Sequence, residues 1–142
     1  MPLTPDERAF LEQQRVAHLA TADAHGAPHV VPIVYTVVDE RLYFVVDDKP
    51  KRTRTGLKRL RNIAANPQVA VVVDRYDEDW RHLAYLLIRG RATLVESVEE
   101  LTTVLAELRR RYAPYRTMAL GVATHPMVRI DIERTHWWTA VP

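Results

Sequence analysis

Within its first fifty residues the chain passes through three extended segments separated by tight-turn signals, and this rhythm constrains the fold more than any other feature. Val16 to Thr21 and Pro28 to Val38 read as strands joined by Asp23-Ala-His-Gly26, where glycine supplies the positive φ of a hairpin turn. Asp39-Glu-Arg41 makes a second turn, into Leu42 to Asp47. Gln68 to Asp74 and Leu83 to Val95 are further strands by their β-branched and alternating content. A last strand starts at Val128 to Ile132, alternating with Arg129, Asp131 and Glu133, and continues toward Trp137-Trp138.

Three helices punctuate these strands. Thr4-Pro-Asp-Glu7 is a capping box with proline at the first helical position, opening a helix through Gln14 with Phe10 and Leu11 facing inward. Leu57 to Ala65 has helical spacing with Leu57, Leu60 and Ala64 on one stripe, ended by Asn66-Pro67. Ser97-Val-Glu-Glu100 starts a third, with Leu101, Val104, Leu105 and Leu108 as its buried face. A meander of short strands with helices at its corners implies a small closed or partly closed antiparallel barrel, because closure removes exposed edges. A parallel α/β fold fits badly: strands and ten-residue helices do not alternate, and neither G-x-G-x-x-G nor a P-loop is present.

At 142 residues with 47% apolar content, one domain with a real core is expected. The acidic start and the lack of eighteen consecutive apolar residues argue against secretion and membrane spanning, so a cytoplasmic protein is expected. Without cysteine there is no thiolate nucleophile and no sulfur ligand for a metal, so redox chemistry must come from a bound cofactor. Seventeen of the 20 basic residues are arginine, a bias that fits a GC-rich genome such as an actinobacterial one.

From Lys49 to Asn62, seven of fourteen residues are Lys or Arg and none is acidic. This run sits between two apolar strands, so its mutual repulsion calls for an anionic ligand, a phosphate first of all. A solvated loop and a nucleic-acid footprint are the competing readings. Against nucleic acid stands the whole-chain balance, 20 basic to 18 acidic residues, which suits a small multiply charged ligand better than a long polyanion. At 100° per residue Lys58 and Arg61 share a helix flank with Asn62 adjoining, so two cations and an amide point toward one place.

The series Leu19-Ala-Thr21, Gly26-x-Pro28, Pro32-Ile-Val, Arg61-Asn62-Ile63-x-x-Asn66-Pro67-x-Val69 and Gly90-x-Ala92 resembles the flavin and deazaflavin oxidoreductases, split-barrel proteins similar to pyridoxamine 5′-phosphate oxidase. The likeness runs in order over roughly residues 10 to 96, and Asp79-Trp80 also matches it. The resemblance implies a mainly β fold with flanking helices, a six-stranded antiparallel split β-barrel of the FMN-binding type. It also implies a homodimer with two cofactor sites at the interface, holding coenzyme F420 or, in other members, FMN or haem. The ring would lie near His29, Val31, Pro32, Ile33 and Val34. Its phosphate would meet Lys51, Arg52, Lys58, Arg59, Arg61 and Asn62, and Trp80 would reach over from the other subunit. The basic loop from Lys49 to Gly56 is longer than in relatives, and Asp47 and Asp48 stand where small hydroxyl residues are common.

The residues themselves agree in one respect: Pro32 inside a strand lacks a ladder donor, so that strand is an edge or borders a ligand. His25 and His29 are four apart, but Gly26 and Pro28 exclude a helix between them, and the other four histidines share no ligand spacing, so no metal site is expected. Asp74, Asp77, Glu78 and Asp79 read as a solvated turn, and Trp137 and Trp138 as dimer packing. The expected function is hydride transfer from reduced F420 to a small organic acceptor, with an FMN-dependent oxidase or reductase and a non-catalytic cofactor-binding protein as alternatives. The cofactor would carry the chemistry, so no side chain is named catalytic. Neither nucleic acid nor membrane is an expected partner.

Overall fold

The computed structural model describes residues 3–46, 55–121 and 125–141. Its elements are α1 (Pro5–Gln13), β1 (Ala17–Ala22), β2 (Pro28–Ile33), β3 (Thr36–Val38), β4 (Arg41–Val45), α2 (Thr55–Ala65), β5 (Gln68–Arg75), β6 (Ala84–Leu94), α3 (Val98–Arg111) and β7 (Met127–Thr139). Short 3₁₀ turns lie at Trp80–His82 and Ala113–Arg116.

The capping box at α1 forms in both directions: Thr4 Oγ1 accepts from the Glu7 N–H, and Glu7 Oε1 accepts from the Thr4 N–H. Phe10 and Leu11 are buried, and Leu101, Val104, Leu105 and Leu108 form the inner face of α3. Gly26 turns β1 into β2 at φ +85°, and Asp39 turns β3 into β4 at φ +56°, a conformation aspartate tolerates better than most side chains.

All strand pairs are antiparallel, in the order β2-β1-β5-β6-β7-β4-β3. The two ends of that order, β2 and β3, are joined in sequence by Val34 and Tyr35 alone. Three Cα steps span at most about 11 Å. The sheet must therefore curl until its edges meet, which makes a barrel split between β2 and β3. The fold is thus the expected mainly β split barrel with flanking helices, but with seven strands rather than six. The extended segment from Pro28 to Val38 is not one strand. At its break the Tyr35 N–H donates to Tyr112 Oη at 3.2 Å and the Tyr35 carbonyl accepts from Arg111 Nε at 3.0 Å. Side chains from the end of α3 take the backbone groups that a neighbouring strand would otherwise pair.

Two apolar clusters result. Leu19, Val31, Ile33, Leu42, Phe44, Val71, Leu86, Ile88 and Ile130 fill the barrel, with Phe10 and Leu11 of α1 and Ile63 of α2 joining them. Tyr43 and Val45, on the opposite face of β4, meet Leu101, Val104, Leu105 and Leu108 of α3. Both faces of β4 are covered, which is why its sequence is continuously apolar instead of alternating.

The stripe expected on α2 needs correction. Ala64 is exposed, and the inner face carries Arg59, Asn62 and Ile63 with Leu60 partly buried against the core; the Leu57 side chain lies outside the described set. Trp137 also differs from expectation: it packs on the chain's own core, its ring 4.8 Å from Phe10. No helix among the described residues is long and apolar enough to cross a membrane.

Candidate functional site

The alternation of β1 turns Ala17, Leu19 and Thr21 inward, so a hydroxyl ends an otherwise apolar row. Thr21 stands opposite His29 in the β1–β2 register. Asn62 of α2 donates from Nδ2 to Thr21 Oγ1 at 3.0 Å, with both residues buried. His29 is half-buried, and its Nδ1 is inaccessible and lacks a hydrogen-bond partner among the described residues. These three polar side chains share one end of the barrel, where β2 begins and α2 is pinned to β1.

Lys58 and Arg61 are exposed, whereas Arg59 and Asn62 are buried. The shared flank expected for Lys58, Arg61 and Asn62 is thus divided: the cations face outward and the amide faces inward. The Arg59 guanidinium lies 6.0 Å from the centre of the buried Phe44 ring. At the β1–β2 turn the Asp23 carboxyl is held below its usual range. The Ala27 and His25 N–H groups cause most of that shift, and the charges of His25 and Lys58 add to it. Lys51 and Arg52, with the rest of the basic loop and Asp47 and Asp48, lie outside the described residues.

On β2, Val31 and Ile33 point into the core, while Val30 and Pro32 face outward, Val30 being 62% exposed. Pro32 lies opposite His18, and among the described residues β2 pairs with β1 alone, so the missing donor sits on an edge strand. Val34, at the bend, packs partly against the α3 cluster. Trp80 is 67% exposed on the turn between β5 and β6, which Asp79 caps by accepting from the Arg81 N–H. On the outer face of the adjacent strands, Tyr85 and Trp138 stack at 5.7 Å with planes 25° apart, and Trp138 remains exposed. No group of three His, Cys, Asp or Glu among the described residues is placed to hold a metal ion.

Thr21 and Tyr85 carry no distinctive signal as single residues. A polar side chain at the inward phase of β1 was the available clue to Thr21; Tyr85 and Trp138 become neighbours only through the β6–β7 register.

One end of the split barrel thus combines buried polar groups, outward cations and a proline-bearing edge strand. Residues 3–139 match the family model described as pyridoxamine 5′-phosphate oxidase, and the chain belongs to that family. It is 38% identical over 74 residues to a 5a,11a-dehydrotetracycline/5a,11a-dehydrooxytetracycline reductase of Streptomyces rimosus, a match covering 52% of this chain and 50% of that protein. The matched segment thus spans about half the length of that curated relative. An FAD-binding protein of Mesorhizobium loti superposes with a TM-score of 0.69 at 25% identity, over 96% of this chain and 95% of that one. A haem storage protein of Vibrio cholerae has the same fold, with a TM-score of 0.69 at 20% identity over 98% and 95% of the two chains.

Proposed function

We propose that this protein is an oxidoreductase that binds a flavin-type cofactor, FMN or its deazaflavin analogue F420, and uses it to reduce a small unsaturated or carbonyl-bearing organic compound. The observation carrying this reading is the convergence of His29, Thr21 and Asn62 beside edge strand β2 and the cationic flank of α2. A buried imidazole nitrogen without a partner is costly unless a ligand supplies one, and a ring heteroatom or phosphate oxygen would do so. Lys58 and Arg61 would neutralise the phosphate, and Pro32, having no N–H, leaves the outer side of β2 without one donor. The family match and the names of the reductase and the FAD-binding relative support the same class.

The bound cofactor would supply hydride transfer; the protein's part is to orient the ring, neutralise the phosphate and exclude water. We further infer a homodimer, in which Trp80 and the Tyr85–Trp138 shelf of one copy cover the cofactor on the other. Exposed aromatic groups of this size suit an interface or a stacking wall.

The test is titration of the apoprotein with FMN, F420 and haem in parallel. FMN or F420 should bind with Lys58→Ala and Arg61→Ala each weakening the complex by about 1.5–3 kcal/mol, the size of a hydrogen bond to a charged group. Preference for F420 rests on the extra cations Lys49, Arg52 and Arg54 and predicts affinity that falls as salt screens its acidic tail. Binding of haem alone would refute the oxidoreductase reading.

A further inference from the structure

We propose that Arg89 and Arg134, with Arg91 beside them, form a binding site for a small, multiply charged oxyanion on the outer face of β6 and β7. Arg89 and Arg134 stand directly opposite one another in the β6–β7 register. Like charges in that position destabilise a sheet, so the pair needs a reason to persist. Among the described residues neither guanidinium has an ion pair or a hydrogen bond. Arg91 is opposite Asp131, but that carboxylate is engaged by Arg41 at 3.0 Å and by Arg129 at 3.5 Å.

The space around the pair is open and positively charged. Two adjoining clefts, of about 360 and 580 Å³, are both lined by Arg89 and Arg134. The smaller adds His136 over an apolar Leu87; the larger adds Arg91, Gln68 and Thr21 over Ala20 and Ala70. Among the described residues Glu133 is the sole acid lining either cleft, against three arginines. The register passes from Arg89↔Arg134 to Gly90↔Ile132, so Glu133 is the extra residue of a bulge, and a bulge re-aims the side chains beside it. Gly90 sits at that step because a Cβ there would lie 2.3 Å from the Asp131 carbonyl oxygen. Two guanidinium forks projecting from neighbouring strands match a phosphate or carboxylate group, whose oxygens accept paired N–H donors. The low net charge of the whole chain, +2, argues for a small anion rather than a long polyanion.

The larger cleft reaches Thr21 at the edge of the proposed cofactor site, but Arg89, Arg91 and Arg134 are distinct from Lys58 and Arg61 on α2, and the proposal does not depend on which cofactor the protein uses. The test is calorimetric titration of the apoprotein with inorganic pyrophosphate and, separately, citrate, at constant ionic strength. One of the two should bind, and its identity separates a phosphate-bearing from a carboxylate-bearing ligand. Arg89→Gln and Arg134→Gln should each weaken binding at least tenfold, while the Lys58→Ala/Arg61→Ala double variant should bind as the parent does. Without ligand, both glutamine variants should melt at or above the parent temperature, because each removes a like-charge contact; arginines held for structure would give the opposite. Unchanged affinity in both glutamine variants, binding of neither anion, or a lowered melting temperature in both variants would overturn the proposal.

Discussion

Asn62 Nδ2 and Thr21 Oγ1 are 3.0 Å apart, a buried side-chain bond joining residues 41 positions apart and fastening α2 to β1. Replacing Asn62 by Leu should leave the hydroxyl without its donor and cost about 1–3 kcal/mol. Adding Thr21→Val should recover part of that loss. A double-mutant cycle by urea unfolding measures the coupling, which should be close to zero if the bond contributes nothing.

Arg111 is the most heavily used side chain at the split of the barrel. Only 2% exposed, it donates to the carbonyls of Tyr35, Glu12 and Gln14 and pairs with Glu12 Oε2 at 2.9 Å. Glu12 is itself more than half exposed, so Arg111→Met should cost about 1–3 kcal/mol, chiefly by leaving the buried Tyr35 carbonyl without its donor. Arg111→Lys should restore little of it, because an ammonium cannot reproduce the fork that spans these acceptors. Chemical denaturation of the three proteins checks both statements.

Tyr43 donates to Glu100 Oε2 at 2.6 Å beneath the first turn of α3, which makes the fold sensitive to pH at both extremes. Burial, then the bond to Glu100, pushes the Tyr43 hydroxyl up to about 12, while that same bond holds the Glu100 carboxyl below its usual range. The tyrosine's contribution is complete below its unfolded value near 10 and is lost as pH rises toward 12. The glutamate's contribution is present above its ordinary value of 4.5 and is lost as pH falls below it. Tyr43→Phe should cost about 1.5–3 kcal/mol at neutral pH and flatten both limbs of a stability-against-pH curve.

At Gly90 a methyl group would meet the Asp131 carbonyl at 2.3 Å and Ile130 Cγ2 at 2.9 Å. Backbone on one side and core on the other leave little room to yield. Gly90→Ala should therefore destabilise by at least about 1–3 kcal/mol, the range for overpacking, as a fall in thermal midpoint.

The proposed dimer predicts a solution mass twice the 16.4 kDa of the chain by light scattering. Trp80→Ala should weaken cofactor binding and leave that mass unchanged. A monomer binding cofactor with full affinity would refute the shared site.

Capping boxes, turn residues and alternation made α1, α3 and most strands legible, because each depends on contacts a few residues apart. The family likeness was legible too, since its motifs are spread in order along β1, β2, α2 and β6. Two features escaped that local reading. The bend at Tyr35 depends on Arg111 and Tyr112, more than seventy residues away, and no pattern within Pro28 to Val38 marks it. The helical period of α2 placed Ala64 inward, yet the packed face carries Asn62 because Thr21 offers a buried acceptor on β1. By itself, then, the sequence determined most of the elements, their order and the run of cations along α2, all through local spacing and residue type. Only the tertiary structure decided which side of α2 faces the barrel, where the sheet splits, and that Arg89 stands against Arg134, because each follows from partners that folding alone brings together.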